Sequence, residues 1–310
     1  MSYSLSYINH EVKKSPKNFA LHCDEIYRER IKTAADMICD NKDKSPIVLL
    51  SGPSGSGKTT TAKKLEEELE KRGINTHAVS MDNYFVTFDP KTAPRTPDGE
   101  VDFESPLCMD MDLLNEHFLA LTNGEEIKIP YYVFSRQKRS ATQFTPMKLG
   151  KNEIAIFEGI HALSDPITDK NPDAFKLYIS VDSNIEENDR VYFHRNWIRI
   201  ARRVVRDNNF RGADALMTLN MWPNVRRGEE LYILPYKDKA FLKLDSSLPY
   251  EIPVLKPFAK PLLEKAEGNA LADEIDMMLS SLELFPEMST EYVAEDSLLR
   301  EFIGGGIYSY

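Results

Sequence analysis

Cysteine, basic charge and long apolar runs are all scarce in this chain of 310 residues. The three cysteines, Cys23, Cys39 and Cys108, have neither the density of a disulfide framework nor the spacing of a zinc site. Acidic side chains outnumber basic ones by 49 to 39, which argues against a general nucleic-acid binder. No segment approaches the roughly 20 apolar residues of a membrane span, and the N-terminus lacks the apolar stretch of a secretory signal. We therefore expect a cytoplasmic protein with no nucleic-acid or membrane partner.

The apolar pattern that is present predicts an α/β chain. IVLLS at 47–51, EIAIFE at 153–158 and KLYISVD at 176–182 have the continuous apolar character of buried parallel strands. We expect an N-terminal helical extension over 1–45, a main domain over 46–285 and a peripheral C-terminal tail over 286–310. Within the main domain the pattern predicts a charged helix over 186–217, a short strand over 247–256 and a terminal helix over 259–282.

The segment GPSGSGKT at 52–59 matches the phosphate-binding pattern GxxxxGK[ST], and it lies between a predicted strand and a predicted helix. Its glycines let successive backbone N–H groups turn toward phosphate oxygens at the start of the helix. Lys58 is expected to neutralise the β- and γ-phosphates, and Thr59 to bind Mg²⁺. The predicted nucleotide-binding residues are Gly52, Pro53, Ser54, Gly55, Ser56, Gly57, Lys58, Thr59 and Thr60. The motif predicts a nucleoside triphosphate ligand but not the fate of its γ-phosphate.

Carboxylates follow two further strands, where open α/β sheets bind ligands. The segment at 76–85 is strand-like and places Asp82 at the C-terminal end of its strand, and Glu158 ends the strand at 153–158. Transfer of a phosphoryl group to a hydroxyl requires a carboxylate at the acceptor, a ligand for Mg²⁺, and arginines that neutralise charge. The alternative interpretations are a turn cap for Asp82, a solvated strand end for Glu158, and a solvated helix face for Arg202, Arg203, Arg206 and Arg211.

Six segments, in this order, resemble the uridine kinase and phosphoribulokinase family of P-loop kinases: GPSGSGKTT, SMDNYF, DFESP, IPYYVF, IFEGIHAL and RRVVRD. The likeness covers about residues 46–282. It implies a P-loop NTPase-type doubly wound parallel sheet with helices on both faces and a helical lid. It also implies ATP or GTP as the phosphoryl donor, Mg²⁺ as cofactor, a small-molecule acceptor with a sugar-type hydroxyl, and a homo-oligomeric state.

The resemblance assigns roles residue by residue. Asp82 takes the place of the catalytic base, and Glu158 that of the Mg²⁺-associated acid. Glu104 replaces an aspartate that holds ribose hydroxyls. Arg203, Arg206 and Arg211 correspond to lid arginines that close over the phosphates, with Arg203 also near the acceptor. The aromatic positions of the acceptor site fall on Tyr84, Phe103, Tyr132 and Phe134.

Three positions depart from the family pattern. Val133 replaces an aspartate, Gln137 stands where a base-contacting histidine is common, and Ala213 replaces a lid arginine. Gln137 is expected to read a base edge through its amide. The sequence thus favours a kinase for the 5′-hydroxyl of uridine or cytidine. The alternatives are a kinase for another small acceptor such as a sugar phosphate, suggested by Arg136, Lys138 and Arg139, and a nucleotide-binding regulatory protein without transfer activity.

Overall fold

The computed structural model describes residues 2–309. Its strands are β1 (Ser2–Ser4), β2 (Ile47–Ser51), β3 (Asn75–Ser80), β4 (Ile127–Val133), β5 (Lys138–Met147), β6 (Glu153–Glu158), β7 (Phe175–Ser180), β8 (Asn184–Glu187), β9 (Arg190–Phe193) and β10 (Leu242–Asp245). Its α-helices are α1 (Leu5–Lys14), α2 (Pro16–Asn41), α3 (Lys58–Lys71), α4 (Met111–Thr122), α5 (Asp165–Thr168), α6 (Arg195–Phe210), α7 (Ala215–Tyr232), α8 (Glu251–Glu264), α9 (Ala272–Leu282) and α10 (Arg300–Ile303). Within this part of the chain, none of the helices combines the length and the apolar character that crossing a bilayer requires.

The centre of the molecule is a parallel sheet of five strands in the order β10-β7-β2-β6-β3. Side chains alternate between its two faces, because successive residues of a strand point to opposite sides. Val48 and Leu50 therefore join one hydrophobic cluster, whereas Ile47 and Leu49 join the other. The two clusters are covered by different helices, so every position of β2 is buried. The predicted doubly wound α/β fold is confirmed.

The carboxyl ends of the strands gather the segments in which the sequence predicted function. The P-loop connects β2 to α3, and a short 3₁₀ turn with Asp82 follows β3. Glu158 is the last residue of β6. The arginine-rich helix α6 follows β7 after a hairpin of β8 and β9, which the sequence had suggested would be helical. Because parallel strands end at the same edge, these segments meet in one cleft.

Residues 286–309 are not a peripheral tail, and that prediction was wrong. Leu298, Leu299 and Phe302 are fully buried in the cluster that also contains β2 and α6. The N-terminal helix α2 packs on this cluster too, and its Tyr27 hydroxyl lies 2.6 Å from Thr61 Oγ1 on α3. Both ends of the chain therefore contribute to the core that supports the P-loop helix.

The region after β10 differs from its sequence prediction. Residues 251–256 begin helix α8 instead of forming a strand, and the predicted helix over 259–282 is broken between Glu264 and Ala272. Proline in a helix interior normally leaves a carbonyl without its donor. Here the N–H of Met288 donates to the carbonyl of Pro253 at 3.0 Å, which replaces the bond that Pro257 cannot make. A contact from a distant segment thus permits a helix that the local sequence disfavours.

Candidate active site

The P-loop is held tightly against the sheet. A Cβ atom at Gly52 would lie 2.1 Å from the carbonyl oxygen of Ile179, so only glycine fits there. Gly57 has a φ of +85°, a left-handed conformation that glycine adopts without strain. Lys58 begins α3 and donates from Nζ to the carbonyl of Pro53 at 3.2 Å, so its side chain folds back over the loop. The Lys58 ammonium group therefore lies at the loop itself.

Lys58 shares this space with two carboxylates. Burial raises the pKa of Glu158 to about 7, while Lys58 opposes the shift. Burial also raises the pKa of Asp82, and Lys58 and Arg211 oppose that shift. Desolvation lowers the pKa of Lys58, against the pull of Glu158 and Asp82. The structure thus brings together three predicted site residues whose charges depend on one another, as is common at active sites.

Thr59 and Glu158 are the two predicted metal ligands, and they are adjacent. Thr59 Oγ1 lies 3.5 Å from Glu158 Oε1. Among residues 2–309 no group of three His, Cys, Asp or Glu side chains converges on one point. Mg²⁺ usually keeps several waters and binds through one or two protein oxygens plus substrate phosphates. One hydroxyl and one carboxylate beside a P-loop therefore fit Mg²⁺ and do not form a closed protein cage.

The four arginines considered in the sequence, three on α6 and Arg211 directly after it, divide into two groups. Arg202 is fully buried and bonds to Glu251 and to the carbonyl of Ser246, so it stabilises the fold. Arg203 donates to Ser54 Oγ of the P-loop, and burial lowers its pKa to about 10, which leaves it charged at neutral pH. Arg206 donates to Asp207 Oδ1 at 2.8 Å, and Arg206 and Arg211 line the cavity that holds Asp82. Three of the four arginines therefore lie at the site.

Glu104 approaches the site from the long loop over 86–106, which has no regular helix or strand. Burial raises its pKa to about 7, and Arg203 and Lys58 oppose the shift. The loop lies directly against α7, because a Cβ at Gly228 would come within 2.2 Å of Glu104 Cβ. Sequence reasoning missed Asp102, which binds Arg227 at 2.7 Å and the Tyr232 hydroxyl at 2.9 Å. These bonds fix the loop to α7 and so position Glu104.

The aromatic residues of the predicted acceptor site are only partly brought together. Phe103 and Tyr132 line a small pocket below the loop over 86–106. Phe134 is 60% exposed, and its ring centroid lies 5.1 Å from that of Tyr132. Tyr84 is fully buried in the core, and its hydroxyl lies 2.8 Å from His117 Nδ1, so it does not line the pocket. Tyr84 is therefore a core residue of the 3₁₀ turn and does not contact a ligand in the pocket.

Gln137 lies outside the aromatic pocket, whereas Thr60 lies in the first turn of α3 with its side chain bound to another part of the chain. Gln137 occupies the exposed turn between β4 and β5 with a φ of +47°, outside the residues that line the aromatic pocket. Thr60 is fully buried, and its hydroxyl donates to Glu301 Oε2 at 2.6 Å. Glu301 belongs to the C-terminal segment, and no local sequence signal pointed to it.

One open cavity of about 580 Å³ is lined by several of the predicted site residues. Its walls include residues from five parts of the chain: Thr59, Ser80, Asp82, Glu158, Arg206, Phe210, Arg211, Arg300, Glu301, Gly304, Gly305, Gly306 and Tyr308. Ser80 also bonds to Glu158, which lowers the pKa of that carboxyl and partly offsets its burial. The cavity combines a phosphate loop, an Mg²⁺-compatible pair, a carboxylate and arginines, which is the equipment of phosphoryl transfer.

Comparison with known proteins agrees with this chemistry. The chain is 29% identical over 202 residues to the uridine kinase of Staphylococcus aureus strain JH9, a match that covers 63% of this chain and 84% of that one. The uridine kinase of strain Newman gives the same values.

Two solved structures are similar at lower identity. A putative fructose transport system kinase from Silicibacter sp. TM1040 has 17% identity and a TM-score of 0.47, covering 66% of this chain and 95% of that one. A possible uridine kinase from Bacillus stearothermophilus has 19% identity and a TM-score of 0.46, covering 70% and 98%.

The family assignment rests on the match to a family model. The model described as "Phosphoribulokinase / Uridine kinase family" matches residues 47–249, which are more than half of the chain and include every predicted site residue. The resemblance seen in the sequence is confirmed, and the chain belongs to the phosphoribulokinase and uridine kinase family of phosphotransferases, which act on alcohol acceptors.

Proposed function

We propose that this kinase transfers the γ-phosphate of ATP or GTP, with Mg²⁺, to the 5′-hydroxyl of uridine or cytidine. The observation that carries the proposal is the convergence of Asp82, Glu158 and Lys58 at the P-loop, with Glu104 close enough for Lys58 and Asp82 to affect its pKa. A protein that only bound nucleotide would not require carboxylates on the acceptor side. Family membership also disfavours the regulatory alternative.

The donor half of the reaction uses the loop and α3. The P-loop amides and Lys58 hold the phosphates, and Lys58 neutralises charge on the β- and γ-phosphates. Thr59 and Glu158 hold Mg²⁺, which neutralises charge on the donor phosphates when it is bound. Glu158 binds a cation as the carboxylate, so its raised pKa makes cation binding compete with protonation near pH 7.

The acceptor half uses Asp82 as the base. Asp82 accepts a hydrogen bond from the acceptor hydroxyl, orients its oxygen toward the γ-phosphorus, and takes the proton as the new P–O bond forms. The bond from the γ-phosphorus to the bridging oxygen breaks, and the nucleoside diphosphate leaves with that electron pair. The elevated pKa of Asp82 strengthens it as a base relative to an exposed aspartate.

The arginines act on charge that develops during transfer. Arg203 is bonded to Ser54 in the P-loop, and Arg206 and Arg211 line the cavity beside Asp82. Cations that the protein holds in place stabilise the transferring phosphoryl group more strongly than mobile ones. We further propose that closure of this region over the phosphates excludes water and so favours transfer over hydrolysis.

The nucleoside assignment rests on the acceptor side. Glu104 supplies a carboxylate that can accept hydrogen bonds from two ribose hydroxyls, and the pocket of Phe103 and Tyr132 offers aromatic faces for a base. The relatives named uridine kinase support the same choice. A sugar-phosphate acceptor is less well supported, because Arg139 of the basic run is already paired with Asp110 at 2.9 Å. Arg136 lies in the exposed turn, and Lys138 is exposed at the start of β5.

Product-resolved transfer from ATP with Mg²⁺ tests the acceptor. The panel contains uridine, cytidine, the purine nucleosides, free pentoses and sugar phosphates, and each product is identified by mass. We expect uridine or cytidine 5′-monophosphate as the main product. Transfer to a sugar phosphate alone would retain the mechanism and reject the nucleoside assignment.

A further inference from the structure

The C-terminal segment over 296–309 closes one side of the P-loop and has no role in the steps above. A Cβ atom at Gly57 would lie 2.6 Å from Leu298 Cδ1, so Leu298 sits directly on the loop. The ring of Phe302 lies 5.0 Å from the guanidinium carbon of Arg202. Leu298, Leu299 and Phe302 are fully buried, so these apolar side chains anchor the segment beside the P-loop.

From this anchored segment, Glu301 reaches the N-terminal turn of α3. Its Oε2 accepts a hydrogen bond from Thr60 Oγ1 at 2.6 Å and another from the Thr60 backbone N–H at 3.3 Å. Thr60 is the third residue of α3, so its N–H belongs to the first turn, where backbone donors have no partner within the helix. These are the donors that a P-loop offers to nucleotide phosphates. A carboxylate of the chain itself therefore occupies an anion position of the phosphate site.

The charge of Glu301 acts on the same site. Glu301 is only 7% exposed, and together with Glu158 and Asp82 it raises the pKa of Lys58 against the effect of burial. An incoming phosphate would meet this fixed carboxylate at short range and in a poorly solvated space, where like charges repel strongly. Phosphate and Glu301 cannot both accept the Thr60 N–H in good geometry.

We propose that Glu301 is a built-in competitor of the donor nucleotide, holding Thr60 in the nucleotide-free protein and leaving it when a phosphate binds. A change of the Glu301 rotamer releases Thr60, and α10 then loses its polar contact with α3 while the buried Leu298 and Leu299 hold the preceding residues in place. Displacing the carboxylate costs free energy, so the donor nucleotide binds more weakly than it would to the P-loop without Glu301. This inference rests on nucleotide binding at the P-loop, and it is independent of the acceptor.

Affinity for ATP with Mg²⁺, measured by calorimetry at one ionic strength, tests the competition. Glu301→Gln removes the charge and keeps the shape, and Glu295→Gln makes the same change at an exposed position directly before this segment. We expect Glu301→Gln to bind ATP at least about fivefold more tightly than the wild type, and Glu295→Gln to stay within about twofold. Equal or weaker binding by Glu301→Gln would overturn the competition. Failure of all three proteins to bind ATP would instead contradict the proposed function, and the competition with it.

Hydrogen exchange of the wild-type protein provides a test without any variant. Release of Glu301 removes the polar contact between α10 and α3, so α10 is then held by its apolar side chains alone. We expect the amides of residues 300–304 to exchange faster with saturating ATP and Mg²⁺ than without them. Unchanged or slower exchange would mean that Glu301 stays bound to Thr60 when ATP binds, and would overturn the proposal.

Discussion

At the scale of single residues, burial raises the pKa values of the carboxylates that we propose bind Mg²⁺ and activate the acceptor. Glu158 has a pKa raised to about 7 because it is buried, and its neighbours in the cavity are Thr59 and Asp82. We expect Glu158→Gln to raise the Mg²⁺ concentration for half-maximal transfer by roughly tenfold or more, since the amide is a weaker ligand. A magnesium titration of the transfer rate checks this. An unchanged magnesium requirement would remove Glu158 from the metal site.

Asp24 links both ends of the chain and gives a pH dependence of stability. It accepts hydrogen bonds from the Tyr250 hydroxyl at 2.8 Å and from Ser297 Oγ at 2.9 Å. Burial raises its pKa from 3.8 to about 6, so the folded protein retains a proton that the unfolded chain releases. The free energy of unfolding should therefore fall between about pH 4 and pH 6, by about 3 kcal/mol at most from this group.

Asp24→Asn tests that contribution because asparagine does not titrate. We expect urea denaturation to give a flatter profile for the variant between pH 4.5 and 6.5 than for the wild type. Above pH 6.5 the difference between the two proteins should be constant. Parallel profiles across the whole range would show that Asp24 does not titrate in this interval.

At the scale of elements, α7 determines where the acceptor loop lies. Gly228 leaves no room for a side chain, since a Cβ would come within 2.2 Å of Glu104 Cβ. An alanine in a helix normally stabilises it by up to about 1 kcal/mol relative to glycine. We expect Gly228→Ala to displace Glu104 and raise the KM for the acceptor by roughly tenfold, with little effect on ATP affinity.

The control for this prediction is Met221→Ala, at a position of α7 where the side chain is 44% exposed. It should leave both kinetic constants within about twofold of the wild type. An equal rise in acceptor KM for the two variants would attribute the effect to the helix as a whole. An unchanged KM in Gly228→Ala would show that Glu104 does not bind the acceptor.

The elements also show which features a sequence reveals. The P-loop and the strands at 47–51 and 153–158 were predicted correctly, because glycine spacing and continuous apolar runs are local signals. The start of helix α8 was predicted as a strand because its prolines disfavour a helix, and the compensating donor is Met288, more than 30 residues away from Pro253. Glu301 was missed because its partner is also distant in the sequence. Its role depends on Thr60, 241 positions earlier in the chain.

At the scale of the whole molecule, the C-terminal segment belongs to the core instead of following it. Phe302 is fully buried in the cluster that includes β2, α2 and α6. We expect Phe302→Ala to lower the free energy of unfolding by about 3–5 kcal/mol, as large cavities in cores do. Chemical denaturation measures this value, and Ile307→Ala, at a position that is 56% exposed, is the control. Equal, small losses in the two variants would mean that the segment is only loosely attached.

The central claim is that this chain is a kinase in which Asp82 activates the acceptor hydroxyl. Single-turnover transfer from ATP to uridine by Asp82→Asn tests it most directly, with Asp98→Asn in the exposed part of the loop over 86–106 as the matched control. The account predicts that Asp82→Asn transfers at least about 100-fold more slowly with nearly unchanged ATP affinity, and that Asp98→Asn behaves as the wild type. Transfer by Asp82→Asn at the wild-type rate would contradict the account.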